Sequence, residues 1–305
     1  MHLSMNYLNL ATIALLVSPG FTLPPAQSPH PSVAIQTQQA QNSPEEELTE
    51  ADRLLQTGLE QYRAGDFTNS LESLQQALKL FQGMNERQGE AVTLTQIGRV
   101  YDNLNQLDEA LNVYNQSLQI SREIGDKREE AIVLDYMGLV YNRLDQYAEA
   151  LKLHKESLAL FQELGIRRSE GIVLGNIGLV YLDQNQNQEA LEFLENAANV
   201  YEEVGDRAGA GFMLDYTGLA YNNLQQYDDA LAAHQQALVI FKELDIPRSQ
   251  AIALYNMGSV YTNLGKTELA IDAYQQALAL FQRVGDEDGV AASQEQIDTL
   301  QKLRP

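Results

Sequence analysis

The chain has 305 residues, of which 42 are Asp or Glu and 20 are Lys or Arg, so its formal charge is −22; it contains no Cys, no Trp and four His. So acidic a chain repels phosphate backbones and anionic lipid headgroups, because nucleic-acid binding rests on clustered cations that release counterions, and DNA, RNA and membrane surfaces are excluded as expected partners. Without Cys there is no disulfide framework, thiolate metal site, iron–sulfur cluster or cysteine nucleophile, and neither a reducing nor an oxidising compartment is indicated.

Residues 1–44 carry no Asp, Glu, Lys or Arg and hold six of the eight prolines. The apolar run at residues 8–17 would make a helix of about 15 Å, half the ~30 Å of a bilayer core, so it does not span one. Its length suits the apolar centre of a signal peptide, and small residues suited to cleavage end at Ala26 or stand at Ser32-Val33-Ala34. The departure is a flank offering only the amino terminus and His2 where Lys or Arg is expected. Residues 1–26 therefore read as an export signal that leaves no membrane insertion after processing, with a disordered cytosolic leader or a misplaced start as the alternative. The first reading predicts a periplasmic or extracellular protein, the second a cytoplasmic one. Residues 27–43 are a Pro/Gln/Ser-rich linker too poor in apolar side chains to offset the entropy of ordering.

From residue 44 onward one unit recurs. Gly58, Gly98, Gly138, Gly178, Gly218 and Gly258 are spaced by 40, and Tyr101, Tyr141, Tyr181, Tyr221 and Tyr261 keep the same step, as do Ala110, Ala150, Ala190, Ala230 and Ala270. Leu134, Met137, Gly138 and Tyr141 lie on one helical stripe, Ala150, Leu151, Leu158 and Phe161 on a second, with a polar turn at residues 142–146 between them. The spacing predicts six helix-turn-helix repeats at about residues 51–84, 91–124, 131–164, 171–204, 211–244 and 251–284, and a polar-faced cap at 287–303 in which Asp298 and Gln301 replace the glycine and tyrosine. Gly125, Gly165, Gly205 and Gly285 are expected to stop second helices in the left-handed conformation. Asp126 and Glu129 have capping-box spacing for the helix that follows, and Pro247 suits a first helical turn. The apolar side chains of one such pair cannot offset the ordering of forty residues, so each pair must stack on its neighbours. The expected fold is all-α, a solenoid of six repeats with a C-terminal capping helix.

Leu94, Ile97, Gly98, Tyr101, Ala110, Tyr114 and Ser117 stand at the spacing of the tetratricopeptide signature, and residues 175–181 followed by Ala190 repeat it. From about residue 51 to the end the chain thus resembles the tetratricopeptide-repeat proteins, which implies a right-handed superhelix whose first helices line a concave groove. Two features depart from the pattern: the period is 40 rather than 34, and Leu94, Leu134, Leu174, Leu214 and Leu254 replace the usual first-helix Trp. The long period is similar to that of Pins-type polarity scaffolds and some bacterial sensor-domain arrays, and implies a lengthened second helix.

With the Leu134, Met137 and Tyr141 stripe assigned to the core, a second row remains on the first helices. By the resemblance this row faces the groove. Its members are Ile132, Asp135, Leu139 and Asn142; Ile172 and Leu179; Phe212, Asp215, Leu219 and Asn222; and Ile252 and Tyr255, flanked by Tyr136, Asn176, Tyr216 and Asn256. The copy in the second repeat is Val92, Thr95, Arg99 and Asp102. Asn side chains there suit a ligand's backbone amides, and the apolar ledge suits its side chains. The competing reading is that Ile132, Phe212 and their equivalents pack against neighbouring first helices. A further periodic set, Arg87, Lys127, Arg128, Arg167, Arg168, Arg207 and Arg248, sits at the corners between repeats. It is expected to pair with Glu123, Glu163, Glu203 and Glu243 of the preceding helix ends or to be solvated, the alternative being that it receives acidic groups of a partner.

No catalytic centre is legible. Gly265-Lys266-Thr267 lacks the earlier glycine and strand of a phosphate-binding loop, and His154 and His234 lie two repeats apart, too far to share a metal. The reading is a non-enzymatic scaffold with no cofactor or metal, binding a protein or peptide in its groove. Its alternatives are an adaptor that recruits a separate enzyme and a self-associating structural element.

Overall fold

The computed structural model describes residues 44–302; the export-signal and linker readings of residues 1–26 and 27–43 lie outside them. Among the described residues there are thirteen α-helices and no strand: α1 (Pro44–Arg63), α2 (Phe67–Met84), α3 (Arg87–Asn103), α4 (Leu107–Ile124), α5 (Lys127–Arg143), α6 (Tyr147–Leu164), α7 (Arg167–Asp183), α8 (Asn187–Glu203), α9 (Arg207–Asn223), α10 (Tyr227–Glu243), α11 (Pro247–Asn263), α12 (Thr267–Val284) and α13 (Glu287–Lys302). This is an all-α helical-repeat solenoid. It divides into two compact units, unit 1 up to Val140 and unit 2 from Tyr141. In unit 1, α1 packs on α2, α2 on α3 and α3 on α4, and the first helices α1 and α3 also touch. In unit 2 each helix from α6 to α13 packs on the next, and the first helices α7, α9 and α11 touch in turn.

The backbone repeats at half the period of the side chains. Left-handed residues follow the first helices at Gly65, Asn105, Asp145, Asn185, Gln225 and Gly265, and the second helices at Asn85, Gly125, Gly165, Gly205, Asp245 and Gly285. Glycine therefore marks only part of a stop signal that recurs every twenty residues, the remainder being filled by Asn, Asp and Gln. Gly265 of the Gly-Lys-Thr sequence is one of these turn residues. The long period lengthens both helices of a pair alike: α3 and α4 have 17 and 18 residues, α11 and α12 the same.

The glycines spaced by 40 have a different cause, since they lie inside helices. Five of the six are crossed by a large side chain of the partner helix: Leu74 over Gly58, Tyr114 over Gly98, Leu194 over Gly178, His234 over Gly218 and Tyr274 over Gly258. A β-carbon on Gly218 would lie 2.6 Å from the His234 ring, and one on Gly258 2.8 Å from the Tyr274 ring. The core of these pairs is thus built around contact between the backbone of one helix and a large side chain of the other. His154 and His234, both fully buried, occupy the position filled in the other repeats by Tyr or Leu.

The capping box at α5 is only half formed. Asp126 accepts the Glu129 backbone N–H at 3.0 Å, as an N-cap should. Glu129 does not return the bond; its carboxyl turns inward and meets the Thr95 hydroxyl of α3 at 2.5 Å, because Thr95 and Ser117 offer a buried polar niche. At the other end, Ile297 and Leu300 of α13 close over Ala270, Ile271 and Tyr274, while Asp298 stays exposed, so α13 is the expected cap.

Candidate partner-binding surface

The first-helix row divides by burial. Ile132, Tyr136, Leu139, Asn142, Ile172, Phe212, Tyr216, Leu219, Asn222, Ile252, Tyr255 and Asn256 are partly exposed. Asp135, Asn176, Leu179 and Asp215, with Thr95 and Asp102 of the second repeat's copy, are instead buried. The cause is local at α7. Gly175 occupies the column of Asp135 and Asp215, and Met213 of α9 comes so close that a β-carbon on Gly175 would lie 2.8 Å from its sulfur. Asn176, beside this contact, retains only 1 % exposure.

Asp215 is buried for another reason. Its carboxylate lies 2.6 Å from His234 Nδ1 and accepts from Asn256 Nδ2 at 3.0 Å. The Asp215 oxygen accepts in this contact, which turns the Asn256 amide nitrogen toward it. Further amide contacts join successive first helices in unit 2: Asn142 donates to Asp183 at 2.7 Å, and Asn263 to Asn222 at 2.9 Å. Burial raises the Asp183 carboxyl despite the Asn142 bond, and it raises the Tyr216 and Tyr255 hydroxyls likewise.

The apolar members combine packing with exposure. Phe212 lies 5.1 Å from Phe241 between ring centroids and contacts the cores on both sides of α9; Ile172 packs on the core of α8 and α9, and Ile252 on that of α10 to α12. The packing reading thus holds for their inner faces, and their outer faces join Tyr216, Leu219 and Tyr255 in a ledge across α9 and α11.

The corner arginines do pair, but forward along the chain. Arg87 bonds Glu123 at 2.7 Å and Arg207 bonds Glu243 at 2.7 Å, while Arg167 reaches Glu203 rather than Glu163. Arg168 and Arg248 hold the capping Asp206 and Asp286 at 2.8 and 2.7 Å. Each thus clamps the start of a first helix to the far end of its own pair or to the next cap. Being largely exposed, such pairs add little stability each. A shallow depression of about 360 Å³ at one corner is lined by residues 85–88, Arg87 among them, and by Ile124, Gly125 and Asp126.

Arg99, in the second repeat's copy of the row, has surroundings that sequence reasoning did not disclose. Arg99 fills the column that holds Leu139, Leu179 and Leu219 in later repeats. Its guanidinium lies 4.5 Å from the Tyr62 ring centre and 5.2 Å from that of Tyr136. The signal was an arginine in a leucine column.

The tetratricopeptide repeat profile matches residues 47–123, 129–203, 213–283 and 249–297. A search of curated proteins gave no match. Among solved structures, RapI in its apo form is similar over 83 % of this chain and 98 % of its own, at 16 % identity and a TM-score of 0.65. A Rap protein complexed with competence and sporulation factor matches over 83 % of this chain and 75 % of its own, at 15 % identity and a TM-score of 0.62. BtubC from P. vanneervenii matches over 87 % and 94 %, at 14 % identity and a TM-score of 0.53. These likenesses concern the fold. Four profile matches spread over the described helices, on a backbone that stops every twenty residues, place the chain in the tetratricopeptide-repeat family, whose members are generally non-catalytic protein-interaction modules.

Proposed function

We propose that the chain is a non-enzymatic scaffold that seats a peptide or a helix of a partner protein along the first-helix face of unit 2. The observation that carries this reading is the ledge of Phe212, Tyr216 and Leu219 on α9 and Ile252 and Tyr255 on α11, partly exposed on two touching helices. Apolar side chains that pack inward and still stay partly open offer surface to a partner. Asn256 and Asn222, partly exposed, supply polar groups beside it. A similarly folded Rap protein is complexed with competence and sporulation factor, which supports binding of a factor by this fold. Export of the chain belongs to the same proposal and predicts that mass spectrometry of the purified protein finds a new N-terminus after Ala26 or Ala34.

The test is affinity capture from the native extract with the wild type, with Leu219→Gln/Ile252→Gln, and with Ile124→Gln at an exposed corner. Capture is expected to fail in the double variant and persist in the corner variant, with helical circular dichroism unchanged in both. Equal recovery of the same partners by all three proteins would remove the ledge from the binding surface.

A further inference from the structure

Two first-helix columns stand forty-one residues apart in the sequence. Leu55 is to Gln96 as Thr95 is to Tyr136, Asp135 to Asn176, Gly175 to Tyr216, Asp215 to Asn256 and Tyr255 to Gln296. The second helices add a third column, Leu74, Tyr114, His154, Leu194, His234 and Tyr274. The three vary together. Asp occurs with His and is followed by Asn, in the third repeat and again in the fifth; the other repeats have Leu, Thr, Gly or Tyr with Leu or Tyr, followed by Gln or Tyr.

In unit 2 the contacts follow the columns. Between the fifth pair and α11, Asp215 Oδ1 lies 2.6 Å from His234 Nδ1 and Asp215 Oδ2 accepts from Asn256 Nδ2 at 3.0 Å, so one carboxyl, only 6 % exposed, joins α9, α10 and α11. Between the fourth pair and α9 the contact is apolar: Met213 stands over Gly175, and Tyr216 packs on the cluster that holds Leu194. Between the sixth pair and α13, Tyr255 lies 5.1 Å from Tyr274 between ring centres and is hydrogen-bonded to Gln296. These joints are not interchangeable. With Tyr in place of Asn256 the enclosed carboxyl loses its amide donor, and with Asn laid over Gly175 and Leu194 an amide is enclosed among apolar groups.

We infer that Asp215, His234 and Asn256 form a register key, which admits α11 beside the fifth pair and rejects the first helices of the adjacent repeats. Repeats so alike can otherwise stack in shifted order, within one chain or by exchange with a second copy. A buried polar set opposes this because only one neighbour satisfies it, the same logic by which a single buried amide fixes the register of a coiled coil. Asp135, His154 and Asn176, all buried, are the same three residue types one pair of repeats earlier, so a slip by one repeat mispairs both sets at once. The inference does not depend on the first-helix face being a binding surface.

The experiment is a mutant cycle in the full chain: Asn256→Leu, Asp215→Leu/His234→Leu, and all three together. Denaturant unfolding gives stability, light scattering gives size, and amide resonances count the conformers. Asn256→Leu strands the carboxyl and Asp215→Leu/His234→Leu strands the amide, so each should lower the folding equilibrium constant by about tenfold or more. The triple variant has no polar group on either side and should recover most of the loss, a coupling of at least about tenfold. Its joint no longer tells one first helix from another. Unlike the wild type, it should therefore show a second set of amide signals in unit 2 or a dimer that grows with concentration. Losses that simply add, up to a triple variant that does not fold, would overturn the assignment, as would a triple variant with one set of signals and the wild-type size.

Discussion

Glu129 shows how much one buried proton decides. Thr95 Oγ1 lies 2.5 Å from the Glu129 carboxyl and 2.8 Å from Ser117 Oγ, and Ser117 in turn donates to the Ala91 carbonyl at 2.8 Å. If Glu129 is ionised, Thr95 must donate to it and Ser117 to Ala91, which leaves the contact between the hydroxyls without a proton. If Glu129 is the neutral acid, it donates to Thr95, Thr95 to Ser117 and Ser117 to Ala91, so these three contacts are filled and only the longer one of 3.2 Å between Thr95 and the Ala91 carbonyl lacks a proton. Burial raises the carboxyl in agreement with this, against the opposing Thr95 bond and the Arg128 charge, while the Asp126 charge adds to the rise. The sign follows. A carboxyl whose folded pKa lies above its unfolded value holds its proton more tightly when folded, so the unfolded state loses its proton first. Stability therefore falls as pH rises from the ordinary carboxylate range toward the raised folded value, then levels. Denaturant unfolding across that range should show a decline in wild type that Glu129→Gln reduces. An identical pH profile in the variant would mean that Glu129 is already ionised in the fold.

At the level of the helices, the alternating stop signal sets where each begins and ends. Gln225 occupies the left-handed region at φ 62°, where a side chain beyond Cα is strained and glycine is not. Gln225→Gly should therefore stabilise unit 2 by about 0.5–1 kcal/mol, the left-handed relief exceeding the entropy glycine regains when unfolded. Thermal unfolding measures it; a drop in midpoint would show that the Gln225 side chain contributes more than its backbone costs. These stops were partly legible. Glycine at four second-helix ends disclosed the period, but Asn105, Asp145, Asn185 and Gln225 have the same backbone conformation without its marker residue. The helix-internal glycines were legible as a period and silent as to cause, because the covering rings of Tyr114, His234 and Tyr274 come from the partner helix.

For the molecule as a whole, the fold depends on every repeat having a neighbour or a cap. Removing residues 287–305 would uncover Ala270, Ile271 and Tyr274, all buried at present and packed against Ile297 and Leu300. Losing those two apolar side chains alone should cost about 3–6 kcal/mol of the stability of the terminal pair. The truncated protein is expected to melt earlier and to associate in light scattering, unlike the full chain. An unchanged midpoint and size would show that α12 needs no cover.

The order of amino acids was sufficient for the period, the all-α class and the family, because these rest on interactions between residues near in sequence and on the arithmetic of apolar spacing. Stacking decided the rest. Asn176 and Asn256 occupy the same place in their repeats, yet one is enclosed beside Met213 and the other is oriented by Asp215 with part of its surface open. Arg167 finds Glu203 instead of Glu163, and Glu129 leaves its cap for Thr95. In each case the outcome is set by which neighbouring helix reaches the side chain first, a distance between elements that no local pattern encodes.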